Sequence, residues 1–252
     1  MAQKLDKPPK LTAKKFLKRL QEHGSRAEAE NTLRYFKAGE GEYGAGDKFI
    51  GVRMGTVFAL AKEFIEMPLD EVEKLLDSPI HEARASAVSI MAQRSKRRKT
   101  SDAERKQLVD LYLRRHDRIN NWDLVDLGAL YVLGIYLRDH SRDVLYKLAR
   151  SKNIWQRRTS IVSTGQLIRN GDTADAFKIA EMLLNDKEDL IHKATGWMLR
   201  VAGDVDRQKL LRFLNKHATT MPRTMLRYSI EHLSEKDRKH YLGLGRNSSR
   251  KI

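Results

Sequence analysis

Apolar positions recur at helical spacing along almost the whole chain. Phe16, Leu20 and His23 fall on one face, as do Val57, Leu60, Ala61 and Phe64, and again Ile179, Met182 and Leu183. No run alternates convincingly with period two. The pattern predicts about a dozen helices and no sheet. Short polar breaks separate the runs: Asp77-Ser78-Pro79, Arg150-Ser151-Lys152-Asn153, Asn170-Gly171-Asp172 and Asn185-Asp186. Such residues cap helices and turn the chain. Of five prolines, Pro68, Pro79 and Pro222 stand where segments begin or end. Connections this short imply antiparallel neighbouring helices.

Several segments resemble one another. His81-Glu-Ala-Arg-Ala-Ser-Ala-Val compares with Trp155-Gln-Arg-Arg-Thr-Ser-Ile-Val, Ile191-His-Lys-Ala-Thr-Gly-Trp-Met and Pro222-Arg-Thr-Met-Leu-Arg-Tyr-Ser. Asp123-Leu-Val-Asp-Leu-Gly-Ala-Leu fits more loosely. Each opens the second helix of a pair. Aligned on these openings, Arg84, Asp126, Arg158, Ala194 and Met225 become equivalent, about 31 to 42 residues apart. That period suits HEAT-like helical repeats. The expected fold is therefore all-α: a superhelical solenoid of antiparallel helix pairs, with equivalent positions in a row along a concave wall. A single repeat domain is expected over residues 1–242, followed by a flexible basic tail over 243–252.

Charge sharpens this picture. Lysine and arginine number 49 against 33 acidic residues, for a net charge of +16. A field of that sign attracts polyanions, nucleic acid first among them. Three basic clusters stand out: Lys14-Lys15 with Lys18-Arg19, Arg94 to Lys99, and Arg114-Arg115 with Arg118. A solvated face is the alternative for each cluster taken singly. Cysteine is absent, which excludes disulfides, thiolate metal sites and cysteine nucleophiles. The opening residues lack the apolar core of a signal peptide. The longest uncharged apolar run, Leu127 to Leu137, is about half of a membrane span. A soluble, cytoplasmic protein is expected, without cofactor. Gly39-Glu-Gly-Glu-Tyr-Gly44 has dinucleotide-binding spacing, but it follows a helix and its glutamates would repel a pyrophosphate, so it reads as a flexible loop. The 8 histidines lack ligand spacing, so no metal site is expected.

The tryptophans carry candidate chemistry. Trp122 precedes Asp126 by one helical turn, so both can point to the same face. Trp197 lies one turn after Ala194. An acid, a base (Arg158) and two indoles could thus converge on one wall, where indole faces attract cations and stack on nucleic-acid components. Alternatively the tryptophans are core and Asp126 pairs with Arg158.

These segments resemble the AlkD-like DNA glycosylases, a family with HEAT-like repeats. The resemblance rests on Leu33-Arg-Tyr35-Phe-Lys37, Ile50-Gly-Val-Arg53, Asn120-Asn-Trp122-Asp-Leu-Val-Asp126, Asn153-Ile-Trp-Gln-Arg-Arg158 and Ile191-His-Lys-Ala-Thr-Gly-Trp197-Met-Leu-Arg200, in order from about Thr12 to Leu242. It implies that Asp126 is the catalytic aspartate. Trp122 and Trp197 would belong to an aromatic cradle around the damaged nucleotide. Tyr35 would be its third aromatic, with Tyr43 in the following loop as the alternative. Arg158 would contact DNA beside the aspartate, and Arg200 is counted among the DNA-binding residues. The implied activity is excision of cationic bases such as N3-methyladenine and N7-methylguanine from duplex DNA, by a monomer that grips the backbone and has no deep base pocket. A non-catalytic module of the same fold, binding unusual or branched DNA, is the alternative. A HEAT-type protein–protein scaffold is a third reading, opposed by the positive charge.

Overall fold

The computed structural model describes residues 11–244. It is all-α, and its helices divide into two compact units, with the division between Gly128 and Ala129. Among the described residues the only extended pairing is an isolated bridge between Lys48 and Ile80.

The first unit contains α1 (Ala13–Gln21), α2 (Arg26–Tyr35), α3 (Met54–Glu63), α4 (Leu69–Leu76), α5 (His81–Lys96), α6 (Asp102–Arg114) and α7 (Trp122–Gly128). Thr12, Ser25 and Ser101 cap α1, α2 and α6 by accepting hydrogen bonds from the backbone N–H groups of Lys15, Glu28 and Glu104. Helix α5 is the hub, packed by α3, α4, α6 and α7. Its interior is rich in Ala83, Ala85, Ser86, Ala87, Ser89 and Ala92, all buried, and small side chains let four neighbours approach closely. The buried Ser86 hydroxyl donates to the Glu82 carbonyl, which removes the cost of burying it. Helix α7 also packs on α5, and its Gly128 lies close against Tyr112 of α6. A Cβ at Gly128 would stand 2.2 Å from the Tyr112 ring.

In the second unit a π-helical turn (Ala129–Leu133) precedes α8 (Gly134–Tyr136), α9 (Asp143–Ala149), α10 (Ile154–Arg169), α11 (Ala174–Met182), α12 (Asp189–Val205), α13 (Arg207–His217), α14 (Arg223–Ser229) and α15 (Glu235–Gly243). Helix α10 packs on α12 and α12 on α14, while α9, α11 and α13 lie alongside their sequence partners. The first unit repeats the arrangement with α3, α5 and α7. Alternate helices stacking on one another is the packing of a helical-repeat solenoid. The expected second helices open at His81, Trp122, Ile154, Asp189 and Arg223, each within two residues of the segment openings.

Two expectations need correction. His23 and Met182 are exposed, although Phe16, Leu20, Val57, Leu60, Ala61, Phe64, Ile179 and Leu183 are all buried. The repeat-equivalent row is also not an open wall. Arg84, Arg158, Ala194 and Met225 are buried and Asp126 is half-buried. The tail expected over 243–252 lies, from 245 on, outside the described residues; Gly243 itself ends α15.

Candidate functional site

The start of α7 is built by hydrogen bonds that its sequence supplies. The buried Asn121 side chain accepts from the Trp122 N–H at 2.8 Å, and its own Nδ2 donates to Asp47 at 3.4 Å. Asn120 donates to the other Asp47 oxygen at 3.3 Å. The Trp122 ring then stacks on Phe36, centroids 5.3 Å apart and planes 21° apart, and Phe36 stacks on Phe49 at 5.3 Å. Tyr35, 66% exposed, meets Trp122 edge-on at 5.9 Å. Asp126 lies one turn beyond Trp122, half-buried, on the same side of α7.

Beneath these rings lies a buried charge network that sequence reasoning missed. The His81 imidazole, 1% exposed, spans Asp47 (Nδ1 to Oδ2, 3.1 Å) and Asp123 (Nε2 to Oδ2, 2.8 Å). Arg84 reaches the second Asp47 oxygen at 2.5 Å and donates to the Ser78 carbonyl at 3.0 Å. Burial works against the charge on His81, but the hydrogen bond and charge of Asp123, then those of Asp47, push its pKa up to about 9. Burial likewise opposes the charge on Asp47, yet His81 and Arg84 hold its carboxyl below the usual range. The imidazolium also lies against the faces of Phe36 (4.9 Å) and Phe49 (4.8 Å), where ring quadrupoles favour a cation.

Glu82, the next residue, holds the segment opposite. Its Oε1 accepts from the N–H groups of Ile50 (3.0 Å), Gly51 (2.8 Å) and Val52 (3.3 Å). Gly51 has φ +74°, and a Cβ there would lie 2.0 Å from the Ser25 carbonyl oxygen. The Ile50-Gly-Val-Arg53 motif is thus a backbone carboxylate cradle that only glycine permits. Arg53 itself pairs with Glu28 at 2.6 Å.

Together these elements line a half-open cavity of about 490 Å³ in the first unit. Its aromatic lining is Tyr35, Phe36, Phe49, Phe58 and Trp122, with Asp123 and Glu82 among the polar residues. Tyr35 lines it and Tyr43 does not. No deep base pocket was expected from the sequence, and this half-open aromatic cavity was not foreseen there. The signal was present in part: Asp123 stands within the motif around Trp122, and His81-Glu82 opens a repeat. Their pairing across more than 30 residues of chain was not legible.

In the second unit, Arg158 is buried near the start of α10 and donates from Nη1 to the Leu190 carbonyl at 2.6 Å. Trp197 is half-buried on α12, and Arg200, on the same helix, pairs with Glu231. Trp155 is core. The basic clusters are largely engaged within the molecule. Arg94 pairs with Glu104, Arg97 with Glu66, and Arg114 and Arg115 with Glu73. Hydrogen bonds from Arg97, Arg114 and Arg115 hold the carboxyls of Glu66, Glu73 and Asp77, respectively, below their usual values. Arg118 donates to the carbonyls of Leu76, Asp77 and Ser78. Lys14 and Lys18 on α1 are exposed.

Fold and site define an all-α protein of paired, stacked helices, with aromatic rings and carboxylates gathered at the start of one helix. Residues 16–233 match the family described as DNA alkylation repair enzyme, and the chain belongs to that family. Membership gives it a role in the repair of alkylation damage to DNA. Its fold is similar to that of a protein from Enterococcus faecalis described as a predicted DNA alkylation repair enzyme, with a TM-score of 0.65 at 17% identity over 84% of this chain and 98% of the other. No curated protein matches the chain. Among the described residues no helix is long and apolar enough to cross a membrane.

Proposed function

We propose that the protein is a DNA glycosylase that hydrolyses the N-glycosidic bond of cationic alkylated purines, N3-methyladenine and N7-methylguanine, in duplex DNA. The observation that carries this reading is the pairing of Trp122 with Asp126 one turn later on α7, beside Tyr35, in a member of an alkylation-repair family. An alkylated purine is already cationic and leaves readily, so no general acid is needed. Positive charge develops on the sugar as the bond breaks. The Asp126 carboxylate stabilises that charge and orients the attacking water. Trp122, Trp197 and Tyr35 favour the cationic nucleotide by their ring faces, and Arg158 and Arg200 serve the DNA backbone. The reading includes a monomer acting in the cytoplasm.

The test is release of methylated bases from N-methylated duplex DNA, followed by chromatography. The full chain should release them; DNA binding without release would instead identify a binding module. Trp122→Ala should slow release by roughly 5- to 150-fold, corresponding to about 1–3 kcal/mol of lost stacking and cation attraction. An unchanged rate would remove Trp122 from the cradle.

Duplex affinity should fall linearly with salt on logarithmic axes, since lysine and arginine contacts release phosphate counterions. Engagement of about five phosphates gives a slope near −4.5. A flat response, measured by fluorescence anisotropy across salt concentrations, would rule out an electrostatic interface.

A further inference from the structure

We propose that the aromatic cavity of the first unit binds one planar, amino-bearing heterocyclic base, with preference for a cationic purine, held by ring stacking and by a hydrogen bond to Asp123. This deepens the glycosylase reading, on which the identity of the base rests, by giving the chain a base-accepting site separate from Asp126, which does not line the cavity.

Size, shape and chemistry point the same way. About 490 Å³ is room for a small flat ligand. The wall offers the rings of Trp122, Phe36, Phe49 and Phe58, and aromatic faces stack on any base. The polar groups on that wall are almost all satisfied from within. Glu82 takes backbone N–H groups, His81 is held by two carboxylates, Thr32 donates to the Glu28 carbonyl, and Arg53 pairs with Glu28. Among the buried polar atoms of that wall, Asp123 carries the exception. Its Oδ2 receives His81, but its Oδ1 is buried without a hydrogen-bond partner. A buried, unpaired carboxylate oxygen calls for an N–H donor. The ring-edge amino group of adenine or guanine is such a donor. Charge in and behind this wall is balanced, with Asp47, Glu82 and Asp123 against His81, Arg84 and Arg118, whose guanidinium shares the Ser78 carbonyl with that of Arg84, and Arg53 is balanced by Glu28. The preference for a cation comes from the ring faces, whose quadrupoles favour the positive charge that an N-methylated purine carries.

The ligand can reach the cavity from two sources: a base everted from the duplex, or the free base after release. Two probes separate them. Free 7-methylguanine and 3-methyladenine are titrated against the full chain by calorimetry. A duplex carrying one 2-aminopurine is followed by its fluorescence. Two variants report on the cavity: Ala85→Leu fills it from a buried wall position, and Phe58→Ala removes a ring at a partly exposed one. Thermal melts of both variants establish that they fold. Binding of the free bases, weakened at least about tenfold in a folded variant, supports the proposal with the released base as ligand. A 2-aminopurine signal lost in a folded variant supports it with the everted base. Absence of both signals in the wild type, or both signals unchanged in the variants, overturns it. Base release from methylated duplex is measured in parallel. Release that ignores both variants, with neither probe bound, defeats the cavity and leaves the glycosylase reading intact. Binding without release does the reverse.

Discussion

Asp126→Asn is expected to release methylated purines about 100- to 1000-fold more slowly than the wild type while binding duplex DNA as tightly. The exchange is nearly isosteric on a half-buried side chain, so the fold should persist. What it removes is negative charge where the sugar becomes positive. One well-placed electrostatic group contributes about 2.7–4 kcal/mol to the barrier, which is the stated range in rate. Because the charge matters in the transition state and little in the ground state, affinity should not follow turnover. Single-turnover rates and anisotropy titrations on the same preparation provide the comparison, with a thermal melt to exclude unfolding. A variant that melts normally and releases bases at the wild-type rate would strip Asp126 of the catalytic role.

Between pH 6.5 and about 9 the protein should lose on the order of 3 kcal/mol of stability that a His81→Gln variant does not lose. The folded state raises the His81 pKa from 6.5 to about 9, so folding binds this proton more tightly than the unfolded chain does. The resulting stabilisation is complete below pH 6.5 and disappears as pH climbs through the folded value. Asp47 behaves oppositely: its carboxyl is lowered, and its contribution fades only in acid, outside this window. His81→Gln should be less stable at every pH, since it leaves two buried carboxylates short of a cation, but nearly flat across the window. Denaturant midpoints near about pH 6 and about pH 9.5 for both chains decide it. Parallel slopes would mean that the imidazole is neutral in the folded protein.

Helix placement was readable because 3.6-residue spacing survives any choice of neighbours. Phe16, Leu20, Val57 and Leu60 are buried for that reason alone. The breaks were readable too: Asn153 caps α10, and Gly171 takes φ +86° after it. Failures begin where tertiary partners decide. Helix α10 buries Thr159, Ser160, Ser163 and Thr164, polar residues whose burial no helical spacing announces. Ser163, for one, donates back to the Thr159 carbonyl at 2.8 Å. His81 shows no ligand spacing because its two carboxylates lie 34 and 42 residues away in sequence. The basic clusters were legible as charge but not as partners; Glu66, Glu73 and Glu104 engage much of two of them.

The loop after α2 is tied at both ends. The Gly44 N–H bonds to the Lys37 carbonyl at 3.1 Å and closes its base, while the Lys48 N–H and carbonyl pair with Pro79 and His81 at its far end. Asp47, the residue that matters to the network, sits inside the second tie. Residues 38–43 therefore form an excursion hung from a fixed stem. Lengthening such an excursion costs only about 0.6 kcal/mol per doubling, and the stem rather than the excursion fixes Asp47. The segment is a graft point: a reporter peptide or fluorophore tag spliced after Gly41 would travel with the protein without entering its wiring.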